Sequence, residues 1–169
     1  NLFLDQGLSV TALNNYLKCP WEYFFVNLIR LPKAQSKHQM YGTAIHETLR
    51  TFFDKYREEQ DMNKADLMKL FEFNANRTLL NPIDLKDSIL KGKNALNAYF
   101  EAYKGSWNRN LITEYSIKGV HLKMPDFDLL LKGQLDKIEF INERDVHVVD
   151  YKTGKRKTDN KENYHRQIV

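Results

Sequence analysis

The segment 133–152 constrains the fold of this chain most, because it consists of two strand-like runs that are joined by a polar turn and end in charge. The second run, 146–149, is apolar and β-branched, which is typical of a strand, and it leads directly into Asp150 and Lys152. Side chains alternate across a strand, so a hairpin of these runs brings Asp136 to meet Asp150. Two facing carboxylates repel each other, and a bound divalent cation usually compensates this repulsion. The hairpin therefore predicts a metal site.

The charged end of this hairpin needs a physical explanation of its own. Asp150 and Lys152 continue the face of Val146 and Val148, which we expect to be buried. Burying a charge is costly unless it finds a partner or a metal. The pair is therefore interpreted as part of a site rather than as ordinary surface.

The rest of the chain has the pattern of a mixed α/β protein. Helical spacing of apolar residues predicts helices, and β-branched runs predict two further strands. The aromatic residues at 21–25 are expected to pack in a core, and stacking on nucleic-acid bases is the less favoured alternative. The expected helices lie at about 10–19, 20–31, 40–56, 65–79 and 86–107, and the strands at 111–123 and 129–141.

Composition limits the class of protein. The 169 residues suggest one domain, 1–169, and the net charge of +4 permits a phosphate-bearing partner. The single cysteine excludes an internal disulfide and favours a reducing, cytoplasmic setting. The sequence contains no apolar run of about 18 residues, so it predicts no membrane span. The chain begins at Asn1 and stops at Val169 inside an expected helix, so we expect a piece of a longer protein that is truncated at its C-terminus.

Two segments of the hairpin resemble a known family. The sequence Gly-Gln-Leu-Asp-Lys-Ile-Glu at 133–139 is similar to a G-x-x-D-R-I-E/D motif, and Val-Val-Asp-Tyr-Lys-Thr-Gly at 148–154 matches V-V-D-Y-K-T-G. Both are motifs of the PD-(D/E)XK nuclease superfamily, and the resemblance is greatest to its RecB-like branch. It implies an α/β, restriction-endonuclease-like core, in which a small mixed sheet is flanked by helices and wrapped by N-terminal helices.

The same resemblance implies a set of site residues. The run Gly-Thr-Ala-Ile-His at 42–46 is similar to the G-x-x-x-H segment that supplies a metal-binding histidine, although an isolated His46 would more often be an interior residue. Glu114 is a possible further ligand, or equally an exposed strand position. The implied metal ligands are His46, Asp136, Asp150 and the backbone carbonyl of Tyr151, and the implied catalytic residues are Asp136, Asp150, Lys152 and Gln167.

The resemblance implies a metal-dependent deoxyribonuclease. Mg²⁺ or Mn²⁺ would be the cofactor, and DNA, as single strands or duplex ends, the substrate. The basic run Lys155, Arg156 and Lys157 is either a solvated loop or a phosphate contact. The RecB-like branch further implies an exonuclease in DNA repair or recombination, with a UvrD-like helicase domain in the same or a partner chain.

Three alternatives stay open at this point. A nuclease fold could bind DNA without cleaving it, although such a protein has no reason to keep His46, Asp136, Asp150 and Lys152 together. A glycoside hydrolase could use Asp136 and Asp150 as acid and base, which Lys152 and the basic tail argue against. An AddB-like nuclease would hold an iron–sulfur cluster through Cys19, but such clusters need three more cysteines, and this sequence has none.

Overall fold

Three long helices and then three strands follow a short N-terminal strand–helix segment in the computed structural model, which describes residues 5–58 and 61–154. The N-terminal segment also contains a π-helical turn, Phe24–Leu28. The helices are α1 (Val10–Lys18), α2 (Pro20–Tyr23), α3 (Lys37–Arg57), α4 (Lys64–Asn76) and α5 (Pro82–Tyr103), and the strands are β1 (Leu8–Ser9), β2 (Leu111–Lys123), β3 (Asp128–Phe140) and β4 (Val146–Val149).

The long helices begin at side-chain caps. Ser36 precedes α3 and accepts a hydrogen bond from the backbone N–H of Gln39, whose side chain accepts one from Ser36 in return. Asn81 caps α5, and Pro82 takes its first position, where the missing N–H costs nothing. The sequence interpretation ended one helix at this Asn-Pro pair and began the next only at about 86. That boundary is wrong because the pair starts α5.

Strand β3 is hydrogen-bonded to each of the other three strands in a four-stranded mixed sheet. It pairs in parallel with β1, where Leu8 lies opposite Leu131, and antiparallel with β4, where Ile138 lies opposite Val148. The expected hairpin is confirmed, and Asn142 closes its turn by accepting hydrogen bonds from the backbone N–H groups of residues 144 and 145.

The described residues divide into two compact units. One contains Gln35–Tyr115 and Leu135–Gly154, and its core is built where α3 packs on α4 and α4 on α5. Fully buried aromatic rings dominate this core, and Trp107 packs edge-on against two of them, Phe52 and Phe53. The largest of its fully buried apolar side chains are Phe52, Phe53, Phe71 and Leu67.

The other unit contains residues 5–34 and 116–134. Its aromatic residues were expected in a core, but the side chain of Trp21 is 68% exposed, and Phe24 and Phe25 are exposed as well. These three rings contact one another, with Trp21 stacked on Phe25.

No helix of the described residues has the length and apolar composition that crossing a membrane requires.

Candidate metal centre

Helix α3 carries His46 to the end of the hairpin because a glycine one turn earlier allows a close approach. A Cβ atom at Gly42 would lie 3.3 Å from Oγ1 of Thr153, a tight contact. The glycine therefore lets α3 approach the segment that follows β4, and this gives the G-x-x-x-H spacing a physical reason.

His46 and Asp136 form the centre of the site. Nδ1 of His46 lies 3.1 Å from Oδ1 of Asp136, and the backbone N–H of Tyr151 donates to the other carboxylate oxygen at 2.6 Å. Burial alone would raise the pKa of Asp136, but these two hydrogen bonds, together with the charges of His46 and Lys152, outweigh it and lower the pKa. The hydrogen bond to Asp136 raises the pKa of His46 against the opposing effect of burial. Both oxygens of Asp136 are thus oriented by the protein.

Glu114 joins this pair through an irregular backbone in β2. Its φ of +49° lies in the left-handed region, which interrupts the alternation of side chains along the strand. As a result two successive side chains turn towards α3: Thr113 donates to Asp54 at 2.6 Å, and Glu114 lies beside His46. Burial raises the pKa of Glu114, and the charge of Asp136 adds to the rise.

The three side chains fit a divalent cation. One ligand atom from each of His46, Glu114 and Asp136 lies within 4.8 Å of the other two. Ligands of one Mg²⁺ ion lie at most about 4.2 Å apart, twice the usual Mg–O distance, so small side-chain adjustments suffice. One imidazole nitrogen and two carboxylate oxygens also form a donor set that Mn²⁺ accepts.

Asp150 and Lys152 flank Tyr151, whose N–H donates to Asp136, but they form a pair of their own. The β3–β4 register, extended by one residue, places Asp150 opposite Asp136 as predicted. Oδ2 of Asp150, however, lies 2.6 Å from Nζ of Lys152, and the two side chains are 51% and 46% exposed. The face they share with Val146 and Val148 is exposed in the described structure, so the expectation of a buried face is wrong. Asp150 as a ligand stays a prediction, as does the carbonyl of Tyr151.

The buried charges lie on the alternate residues of β3 instead. Lys137 is 2% exposed, forms an ion pair of 2.8 Å with Glu139, and has its Nζ 4.0 Å from the ring centre of Phe53. Nδ1 of His147 contacts the second oxygen of Glu139 at 3.2 Å. Burial lowers the pKa of Lys137, and its pairing with Glu139 opposes that change. Sequence reasoning missed this pair, although both residues stand in the motif at 133–139.

A cavity of about 580 Å³ adjoins Asp150 and Lys152. Its walls come from α3, from α5, from residues 106–107, from Lys137 and Glu139 of β3 and from residues 147–153, and they include four tyrosines and Trp107. Nε1 of Trp107 and the hydroxyl of Tyr151, both from lining residues, are buried without a hydrogen-bond partner among the described residues.

Four predicted residues, Lys155, Arg156, Lys157 and Gln167, lie outside the residues that the structure describes. Cys19 is described, and it is a free, half-buried thiol at the start of α2.

A mixed α/β chain that gathers an imidazole and two carboxylates in this way belongs to the class of proteins that can hold a divalent metal ion. The family model of the PD-(D/E)XK nuclease superfamily matches residues 7–169. The chain belongs to this superfamily, whose members are nucleases that use divalent metal ions. The observed mixed sheet and helices confirm the restriction-endonuclease-like fold class. Neither the curated proteins nor the solved structures gave a match.

Proposed function

We propose that this chain hydrolyses phosphodiester bonds of DNA with Mg²⁺ or Mn²⁺. The observation that carries the proposal is the cluster of His46, Glu114 and Asp136 in a member of a nuclease superfamily. Its carboxylates suit a hard divalent cation, and the imidazole favours Mn²⁺ somewhat more than Mg²⁺.

His46, Glu114 and Asp136 would hold the ion, and Asp150 and the carbonyl of Tyr151 would complete its ligands. When bound, such an ion polarises the scissile phosphate and lowers the pKa of a water molecule. The Tyr151 N–H and His46 keep Asp136 ionised and oriented for this task.

Lys152 would act on the chemical step. Its ammonium group is half exposed and held at the site by Asp150, so it can orient the attacking water or stabilise the charge that develops on the phosphate. Gln167 would be a supporting residue. Lys155, Arg156 and Lys157 would contact phosphates without selecting a sequence.

The motifs at 133–139 and 148–154 support a RecB-like exonuclease that works with a UvrD-like helicase in DNA repair or recombination. A helicase domain in the same polypeptide would contain a G-x-x-x-x-G-K-[ST] loop, and the sequence of the parent polypeptide tests this part of the proposal.

Cleavage of end-labelled single-stranded and duplex DNA, with Mg²⁺, Mn²⁺ or EDTA, tests the activity itself. We expect cleavage that EDTA abolishes and that Asp136→Asn removes. Lys152→Ala should lower the cleavage rate by roughly a hundredfold while changing DNA affinity little, because it removes one electrostatic group from the transition state.

Lys118→Ala, an exposed lysine of β2, is the control and should cleave as the wild type does. A folded wild-type protein that binds DNA and never cleaves it would contradict the proposal and favour an inactive DNA-binding protein. A Lys152→Ala variant that cleaves normally and binds poorly would reduce Lys152 to a phosphate contact.

A further inference from the structure

One face of α3 presents a row of polar side chains to β2. His46, Arg50 and Asp54 are spaced by four residues, so they lie above one another on the helix. The two ends of the row are fixed to consecutive residues of β2, since His46 shares the metal cluster with Glu114 and Asp54 accepts a hydrogen bond from Thr113. Arg50 therefore lies between two anchors, one helical turn from His46.

The guanidinium group of Arg50 is held in one plane. Its Nε donates to Oε2 of Glu47 at 3.1 Å, and its Nη2 donates to the other oxygen of the same carboxylate. The hydrogen bonds to Glu47 raise the pKa of Arg50, and the charges of Glu47, Asp54 and Glu114 contribute to the rise. Arg50 is thus close enough to the cluster for its charge to interact with that of Glu114.

Arg50 keeps donors available for a ligand. A guanidinium group has five N–H donors, and the contacts with Glu47 use two of them. The side chain is 42% exposed, so an incoming anion can reach it. Planar guanidinium donors match two oxygens of one phosphate group, a geometry that a lysine cannot offer.

The charge of the site favours such a contact. Glu114 and Asp136 bring two carboxylates to the cluster, and Asp150 and Glu47 add two more nearby. The substrate backbone is itself anionic, so cations besides the metal must offset the repulsion. Lys152 is one such cation, and Arg50 is a second one on α3.

We propose that Arg50 is a phosphate-binding residue of this site, an inference that rests on the proposed nuclease function. Its guanidinium group engages the non-bridging oxygens of a phosphodiester phosphate beside the cluster of His46, Glu114 and Asp136, and Glu47 keeps the group in the required plane.

The chain offers a closely matched control. Arg57 lies on the same helix, pairs with Asp54 three residues earlier as Arg50 pairs with Glu47, and is 41% exposed. It is eleven residues from His46 along α3, about 16 Å, whereas Arg50 is four residues away, about 6 Å. Loss of either arginine removes one positive charge and one surface ion pair.

Fluorescence anisotropy with a labelled single-stranded oligodeoxynucleotide tests the assignment. It is measured on the 169-residue chain in Ca²⁺ at several salt concentrations. Arg50→Ala should raise Kd roughly tenfold, the scale for one charge-assisted hydrogen-bonded contact, and reduce the salt-dependence slope by about 0.7. Arg50→Lys should retain part of the affinity and Arg57→Ala nearly all of it. In cleavage assays, the loss at Arg50 should fall on KM more than on kcat.

Equal affinities of Arg50→Ala and Arg57→Ala would overturn the proposal, as would a loss of cleavage without a loss of affinity. Circular dichroism melts check that the variants are folded, and Arg50→Lys, which keeps the positive charge, is the second variant if Arg50→Ala does not fold. A wild-type chain that binds DNA but does not cleave it would refute the nuclease proposal, while the affinities would still decide the role of Arg50.

Discussion

Glu114 combines two costs that a strand residue seldom carries. Its left-handed φ of +49° is unfavourable for a residue with a side chain by roughly 1–2 kcal/mol, and its carboxylate lies beside that of Asp136. Backbone strain of this kind persists where the surrounding structure holds a residue in place, and it is frequent at functional sites. A bound cation would offset the repulsion between Glu114 and Asp136. The strained backbone therefore positions a carboxylate that is useful to the protein only when the cation is bound.

Glu114→Gly should therefore separate stability from metal binding. Glycine adopts a positive φ without a steric penalty, and the substitution removes one of two repelling carboxylates. We expect the thermal midpoint in EDTA to stay the same or rise, while the affinity for Mn²⁺ measured by calorimetry falls.

Ser116→Gly is the comparison within the same strand. Ser116 is not among the residues with a positive φ, so glycine there brings only its entropic cost, about 0.5–1 kcal/mol, and should lower the midpoint. A Glu114→Gly protein that is as destabilised as Ser116→Gly, or that binds Mn²⁺ as tightly as the wild type, would contradict this account.

Among the elements, the contact between α4 and α5 depends on a glycine. A Cβ atom at Gly92 of α5 would overlap the ring of Phe71, which is fully buried on α4. The two helices approach this closely because Gly92 has no side chain. An alanine at this position would have to displace an aromatic ring from a packed core.

Overpacking in Gly92→Ala should cost roughly 1–3 kcal/mol, so after the gain in helix propensity the free energy of unfolding should fall by about 0–2 kcal/mol. Alanine favours a helix by about 1 kcal/mol over glycine, so the net change remains destabilising only if overpacking exceeds that gain. Urea unfolding measures the balance. Gly105→Ala, where nothing lies within 4 Å of the new Cβ, should be nearly neutral. A stabilised Gly92→Ala protein would show that Phe71 moves aside at little cost.

Periodic elements were predictable from the sequence, and irregular ones were not. The β-branched run of β2 gave the bounds 111–123, which the structure confirms, and the β3–β4 hairpin followed from two strand-like runs around a polar turn. Strand β1 has two residues, too few for any pattern, and its parallel pairing with β3 depends on contacts distant in sequence. The N-terminus of α5 was missed because a cap is a local hydrogen bond that periodicity does not report.

The site was predictable to a similar degree. Asp136 and Asp150 came from the hairpin register, and the role of His46 came from a family resemblance, because nothing in the α3 pattern distinguishes it from an interior histidine. The position of Glu114 depends on a single backbone angle, which no alternation rule anticipates. Arg50 carried one signal that could have been used: it lies four residues after His46, on the same helix face.

For the molecule as a whole, a cation held by the cluster would link stability to cation concentration. His46, Glu114 and Asp136 come from α3, β2 and β3, segments far apart in the sequence, and unfolding would disperse them. A cation that binds the folded chain and not the unfolded one stabilises the fold by mass action, by about 2.7 kcal/mol at a hundred times its Kd. The chain has two tryptophans, and Trp107 lies in the same unit as the cluster.

Mn²⁺ should therefore raise the thermal midpoint that Trp107 reports. In a Trp21→Phe background, Trp107 is the remaining tryptophan, and its fluorescence follows the unit that contains the site. For a chain of this size 1 kcal/mol corresponds to about 2–4 °C, so saturation at a hundred times Kd should raise the midpoint by roughly 5–10 °C.

Asp136→Asn in the same background should lose this increase, because it removes a ligand charge. Glu101→Gln, which alters a surface carboxylate paired with Lys64 and Lys104, should keep it. Equal increases in both variants would mean that Mn²⁺ acts through unspecific binding to surface acids, and the cluster would then have no part in holding the ion.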